Sequence, residues 1–158
     1  MTKYLLGMCL LALSTFGFAE QHTWYFVRHF EKQLGDNPSL TVKGKSRAEA
    51  LATFFSDKHL NHVYSTDYNR TRETAAPVAA LKSVDIQFYD PHSLVKFAIK
   101  LKTQVHVLVV GHSNTTPELL GLMGVANITI EESEYGALYI VQNDGLELSS
   151  RSVDIPPK

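Results

Sequence analysis

Residues 105–110, Val-His-Val-Leu-Val-Val, are almost continuously apolar and run into Gly111. A short β-branched run closed by glycine suits a strand buried on both faces, in the middle of a parallel sheet. Parallel neighbours require crossover connections, usually helices, so strand and helix signals should alternate on either side, and they do. His22–Arg28 is rich in aromatic and β-branched residues and reads as a strand; residues 63–65 and 84–89 read as two more. Between them, Ala48, Leu51, Ala52 and Phe55 fall at i, i+3, i+4, i+7, one face of a helix over residues 42–57. Asp67 is placed to cap a second helix with inner face Thr71, Thr74, Ala75 and Val78. Leu94, Phe97, Ala98 and Leu101 mark a third, after Pro91. Pro117 sits in the first turn of a fourth that reaches about Met123. Residues 137–142 and 146–150 flank Asn143-Asp144-Gly145 and read as a hairpin. Residues 30–40, with Gly35, Asp36, Asn37 and Pro38, are a loop, and residues 154–158, with two prolines, a loose tail. The expected architecture is a single α/β domain: a three-layer sandwich with a mostly parallel central sheet, helices on both faces and a C-terminal hairpin.

Residues 1–19 stand apart from that pattern. Lys3 precedes an apolar stretch over residues 4–13, and Gly17 and Ala19 lie at the −3 and −1 positions of a cleavage site. This is the pattern of a secretory signal peptide, and the stretch is shorter than the roughly 20 residues a membrane span requires. The expectation is an exported protein, periplasmic or secreted, whose domain occupies residues 20–158 and keeps no stable membrane anchor after cleavage. Cys9 is the one cysteine of the chain, so that domain can form no disulfide and use no thiolate. Its stability must come from its core, and a chain of about 140 residues buries roughly two thirds of its extended surface. With 15 Lys+Arg against 16 Asp+Glu, the formal charge is −1. This argues against nucleic acid as a partner, which calls for a basic face.

Chemistry is to be sought where ligands bind in open α/β sheets, at the carboxyl ends of the strands. Three strand ends carry polar residues of one kind. They are Arg28-His29, then Ser65-Thr66-Asp67 with Arg70 just beyond, then Gly111-His112-Ser113-Asn114. Two arginines and two histidines on one edge suit a tetrahedral anion. Guanidinium forks give paired, charge-assisted hydrogen bonds to phosphate oxygens. A neutral imidazole can attack phosphorus, and a second, protonated, can hold the oxygens in the transition state.

The strings Val27-Arg28-His29-Phe30-Glu31-Lys32, Leu40-Thr41-Val42-Lys43-Gly44, residues 64–75 around Arg70, and Val110-Gly111-His112-Ser113-Asn114 resemble, in order, motifs of the histidine phosphatase (phosphoglycerate-mutase-like) superfamily. The resemblance implies a phosphatase acting on phosphomonoesters or on a phosphorylated protein side chain. His29 would be its nucleophile, forming a phosphohistidine, and Arg28, Arg70 and His112 its phosphate pocket. No metal or other cofactor is implied. Asp90, after the third strand, lies close to where that family often places its acidic residue and ranks first as leaving-group acid. Glu118 is second, because a carboxylate in a helix's first turn is already explained by the helix dipole. Glu31 is expected to orient its neighbours. Phe30 departs from the family's pattern, which has glycine there, and is expected to narrow the pocket or reshape the loop.

The other histidines and Arg72 draw plainer expectations. Arg72 lies about 200° round the helix from Arg70 and should be an ion-pair residue at the surface. His22, His59, His62 and His92 have no metal-ligand spacing, and His106 is expected as a hydrogen-bonded core residue of its strand. Two other functions compete with the phosphatase: a non-catalytic anion binder of the same fold, for which Phe30 is the hint, and a phosphomutase. The mutase is disfavoured because mutases of the superfamily resemble longer chains with additional segments.

Overall fold

Side chains in a strand alternate between the two faces of a sheet, and β1 (His22–Arg28) shows what that does here. Trp24 and Phe26 enter one buried cluster; Tyr25 and Val27 enter another on the opposite face. The structure, a computed structural model, describes residues 21–158; the leader expected over residues 1–19 lies outside them. After β1 come α1 (Val42–Phe54), β2 (His62–Ser65), α2 (Asn69–Lys82), β3 (Ile86–Phe88), α3 (Leu94–Leu101), β4 (Val107–Gly111), α4 (Thr115–Leu122) and the hairpin β5 (Ala137–Asn143) and β6 (Leu148–Asp154). They build one six-stranded sheet of order β3-β2-β4-β1-β5-β6. Its first four strands are parallel, and β5 and β6 add antiparallel. Helices α1 and α2 cover one face through Ala48, Leu51, Ala75 and Val78, and α3 and α4 cover the other through Leu94, Phe97, Leu119 and Leu120. The expected three-layer architecture is the one observed.

Strand β4 lies inside the sheet, between β2 and β1, with every residue buried. Valine and leucine suit both of its faces, since each points into one of the two cores, and each fully buried side chain of this size contributes about 1.5–3 kcal/mol. The helical faces read from spacing are also buried: Thr71, Thr74, Ala75 and Val78 on α2, and Leu94, Phe97, Ala98 and Leu101 on α3.

Three local expectations fail, each for a long-range reason. His106 precedes β4 rather than sitting in it. It takes a left-handed φ of 54° and is only half-buried, and its carbonyl accepts from Asn61 N–H at 2.8 Å. Asp67 does not cap α2 but pairs with Arg72 at 3.0 Å; the N–H of Asn69 is taken by the Asn37 side chain at 2.8 Å, from the loop read as irregular. The tail is docked, not loose. Ile155 is buried, its N–H donates to the Gly136 carbonyl at 2.8 Å, and its own carbonyl accepts from Arg47 Nη1 at 2.5 Å.

The first turn of α1 closes on the chain that follows β1. Thr41 donates its N–H to the Glu31 carbonyl at 2.8 Å and caps the helix by accepting from Gly44 N–H at 3.0 Å. A Cβ on Gly44 would lie 2.2 Å from that same carbonyl oxygen, so only glycine lets α1 approach. Gly44→Ala is therefore expected to destabilise the protein by about 1–3 kcal/mol, as overpacking does. The urea-unfolding midpoint measures this, and an unchanged midpoint contradicts the close approach.

Candidate active site

Parallel register brings the ends of β1 and β4 level. Arg28 pairs with Gly111, and the next residue, His29, donates its N–H to the Gly111 carbonyl at 2.9 Å. Gly111 has no room for a side chain: a Cβ would meet Thr115 Oγ1 and the Tyr89 hydroxyl at 2.8 Å. The chain thus turns tightly into α4, with His112 N–H donating to Thr115 Oγ1 at 2.9 Å. That turn sets the His112 ring edge-on to His29, centroids 5.5 Å apart. Both rings line a cavity of about 510 Å³ with Arg70, Lys32, Tyr68, Ser113 and Glu132 among its walls.

His29 is buried, and its Nδ1 lies 2.8 Å from the Phe30 carbonyl. A carbonyl only accepts, so Nδ1 carries the proton and Nε2 keeps its lone pair. Burial, opposed by that hydrogen bond and reinforced by the charges of Arg28, His112 and Arg70, pushes the imidazole down to about 3. The ring is neutral at physiological pH, and Nε2 is a free nucleophile.

A relay of hydroxyls orients His112. Its Nε2 lies 2.9 Å from Thr66 Oγ1, whose hydroxyl donates to Thr71 Oγ1 at 3.0 Å, and Thr71 in turn donates to the Thr66 carbonyl at 2.9 Å. Thr66 Oγ1 therefore accepts from Nε2–H. Nδ1 then faces Arg70 Nη2, at 3.4 Å, with a lone pair. Burial first, then the charges of Arg70 and Arg28, lowers His112 to about 4. In the free protein the second imidazole is therefore neutral, chiefly through burial; its protonation is expected only as charge develops in the transition state. A bound dianion works in the same direction, since a negative neighbour favours the protonated ring.

Arg28 is engaged rather than free. Its Nη1 donates to the carbonyls of Glu131 at 2.7 Å and Glu134 at 2.8 Å, its Nη2 donates to Glu132 Oε2 at 2.9 Å, and its guanidinium lies 4.3 Å from the Tyr135 ring centroid. Glu132 also accepts from the Ser113 hydroxyl. Ser113 first and then Arg28 hold its carboxyl below the usual range, against slight burial. A carboxylate thus occupies one arm of the arginine fork at the cavity. Arg28 Nε and Arg70 Nε are both buried and have no hydrogen-bond partner among the described residues, although buried donors are nearly always satisfied.

The sequence-derived residues divide accordingly. His29, Arg70 and His112 meet in the cavity, and Arg28 adjoins it through Glu132. Asp90 does not line the cavity. Its carboxylate accepts from His92 N–H at 2.9 Å and from the Ser93 hydroxyl at 3.0 Å, bonds that hold it below the ordinary range. Glu118, exposed on α4, does not line it either. Phe30 neither narrows the cavity nor bends the backbone: its ring is fully buried in the α1–α2 core and its φ is not positive. Glu31 does orient a neighbour, through Arg47 Nη2 at 2.7 Å and Nε at 3.1 Å. Arg72 is the surface ion-pair residue expected. Sequence reasoning missed Glu132, Lys32 and His92 as cavity residues; the acidic run Glu131-Glu132-Ser133-Glu134 was the available signal for the first. A larger cavity of about 650 Å³ lies across Arg28. It contains no imidazole, and Arg47 there is paired with Glu31, so it offers no comparable chemistry.

Two measurements check this electrostatic picture. Because both histidines are harder to protonate folded than unfolded, the unfolded state binds more protons below about pH 6.5. Stability is then full above that pH and falls as pH drops toward 4, by about 1.4 kcal/mol per pH unit for each ring. Urea unfolding of His29→Asn between pH 6 and 4 is expected to show a slope shallower by one ring's share; an unchanged slope contradicts a neutral His29. Glu132→Gln is expected to tighten inorganic phosphate binding up to about five-fold in calorimetry, the range of a solvent-exposed ion pair. Weaker binding contradicts competition at Arg28.

The fold agrees with comparisons to known proteins. Residues 24–90 match the family model "Histidine phosphatase superfamily (branch 1)". No curated protein matches the chain significantly by sequence. Among solved structures, the chain is similar to the alpha-ribazole phosphatase from Shigella flexneri (13% identity, TM-score 0.69, covering 84% of this chain and 96% of that one). It is also similar to the protein histidine phosphatase SixA complexed with tungstate (14%, TM-score 0.66, 84% and 96%). A third is the phosphoglycerate mutase from Bacillus anthracis str. Sterne (17%, TM-score 0.64, 86% and 94%). At these identities the likeness is one of fold, and the chain has the fold of the histidine phosphatase superfamily.

Proposed function

We propose that this protein is an exported phosphatase that hydrolyses phosphomonoesters, or a phosphorylated protein side chain, through a phosphohistidine on His29. One observation carries the reading: the Phe30 carbonyl holds the proton on Nδ1 and leaves Nε2 of a neutral, buried imidazole open beside Arg70 and His112. Arg70, on the cavity wall, has an Nε–H without a partner among the described residues and supplies a donor for the oxygens of a tetrahedral anion. Nε2 attacks phosphorus in line with the leaving oxygen. Arg28, Arg70 and His112, protonated once the dianion is bound, stabilise the charge on the three equatorial oxygens. Water then attacks the phosphohistidine and returns the lone pair to Nε2. The sequence pattern of residues 1–19 supports export, and no metal or other cofactor enters the reaction as proposed.

Two competing readings stand differently after the structure. Phe30, the sequence hint of a non-catalytic binder, lies in the core; what favours that reading instead is Glu132, already seated on Arg28. Length no longer disfavours a mutase, because the chain covers 94% of a structure described as a phosphoglycerate mutase. The purified protein is expected to hydrolyse 4-nitrophenyl phosphate in the presence of EDTA and to trap an acid-labile, base-stable phosphoenzyme. His29→Ala should abolish both. Phosphate binding without turnover across a panel of phosphate esters would establish the binder, and phosphoryl transfer between the hydroxyls of a phosphoglycerate would establish the mutase.

A further inference from the structure

Breaking the P–O bond of an unactivated ester requires a proton on the departing oxygen, and none of the residues given a role so far has that task. Asp90 and Glu118, the carboxylates expected for the task, do not line the cavity. Glu132 lines it, but its carboxylate accepts from Ser113 and Arg28 and is held ionised, so it has no proton to give. Tyr68 packs edge-on against His112, centroids 5.2 Å apart, and under the Arg70 guanidinium at 4.6 Å. Lys32 lines the cavity as well.

One imidazole of the cavity, besides His29 and His112, is left without a role. We propose that His92 is the leaving-group acid, an assignment that rests on the phosphatase reading. Imidazole is the side chain suited to give and retake a proton near neutrality. His92 lines the phosphate cavity and also a shallow groove along α3 formed with Leu94, Val95 and Ile99. A leaving group that extends from the first toward the second would pass this residue, which lines both. Asp90 acquires a role from the same geometry. Its two carboxylate oxygens hold the His92 N–H and the Ser93 hydroxyl, and its carbonyl accepts from Ser93 N–H at 3.1 Å. The turn that carries His92 is therefore fixed, and Asp90 is its positioning residue.

The proton balance closes over one cycle. His29 Nε2 forms the N–P bond as the P–O bond breaks; the electron pair goes to the leaving oxygen, which takes the proton of the His92 imidazolium, and the alcohol departs. Neutral His92 then takes a proton from water as the water oxygen attacks phosphorus. The P–N pair returns to His29, and phosphate leaves with His92 protonated again.

The test compares kcat/KM for 4-nitrophenyl phosphate, whose leaving group needs little protonation, with that for an alkyl phosphate, in the wild type, His92→Gln and Glu132→Gln. His92→Gln is expected to lose about 10²- to 10⁴-fold on the alkyl ester and far less on the aryl ester, while Glu132→Gln shows no such selectivity. Equal losses on both esters, no loss on the alkyl ester, or alkyl-selective loss in Glu132→Gln instead would each overturn the assignment. A wild type inactive on both esters contradicts the phosphatase reading itself, and His92 falls with it.

Discussion

The hydrogen bond from His29 N–H to the Gly111 carbonyl is the joint on which the chemistry of this molecule hangs. It extends the parallel pairing of β1 and β4 one residue past the sheet and brings two chain segments more than 80 residues apart to the same level. Because the strands are parallel, both ends point the same way, and the residues that follow have to share one edge. Gly111 completes the joint by allowing α4 to start at once, which turns His112 back toward His29. A larger residue there would displace the helix and, with it, the second imidazole.

Electrostatics then dictates the protonation states. Four basic groups crowded into a largely buried space cannot all carry charge. Beside the two guanidinium groups the histidines yield, chiefly through burial, His29 to about 3 and His112 to about 4. This division suits phosphoryl transfer, which needs a neutral nucleophile beside fixed positive charge. Glu132 offsets part of the excess while the site is free of anions, through the arm of Arg28 that faces it. In the proposed reaction, substrate binding is accordingly an exchange of anions as well as an association.

How much of this could be read from the chain follows from the range of the interactions involved. The sheet was legible because β4 is apolar on both faces and the helices carry spaced apolar stripes, both local signals. His29, Arg70 and His112 were legible because strand ends locate a site wherever a parallel sheet is established. The segment around Glu132 has no periodicity, and its meaning lies in Arg28, 104 residues away. Asp90 misses the cavity for a subtler reason. A carboxylate two residues before a free N–H bends back to accept from it, so the acidic group turns to the backbone and the imidazole beyond it takes the cavity. The tail failed as a loose end because Arg47, paired with Glu31, reaches the Ile155 carbonyl.

An aligned nucleophile is tested most directly by a crystal structure with orthovanadate, which takes the trigonal-bipyramidal shape of the transferring phosphoryl group. The account predicts vanadium bonded axially to His29 Nε2, with equatorial oxygens on Arg28, Arg70 and His112 Nδ1 and Glu132 turned away. Vanadate bound elsewhere, or bonded to any atom other than that nitrogen, would contradict it.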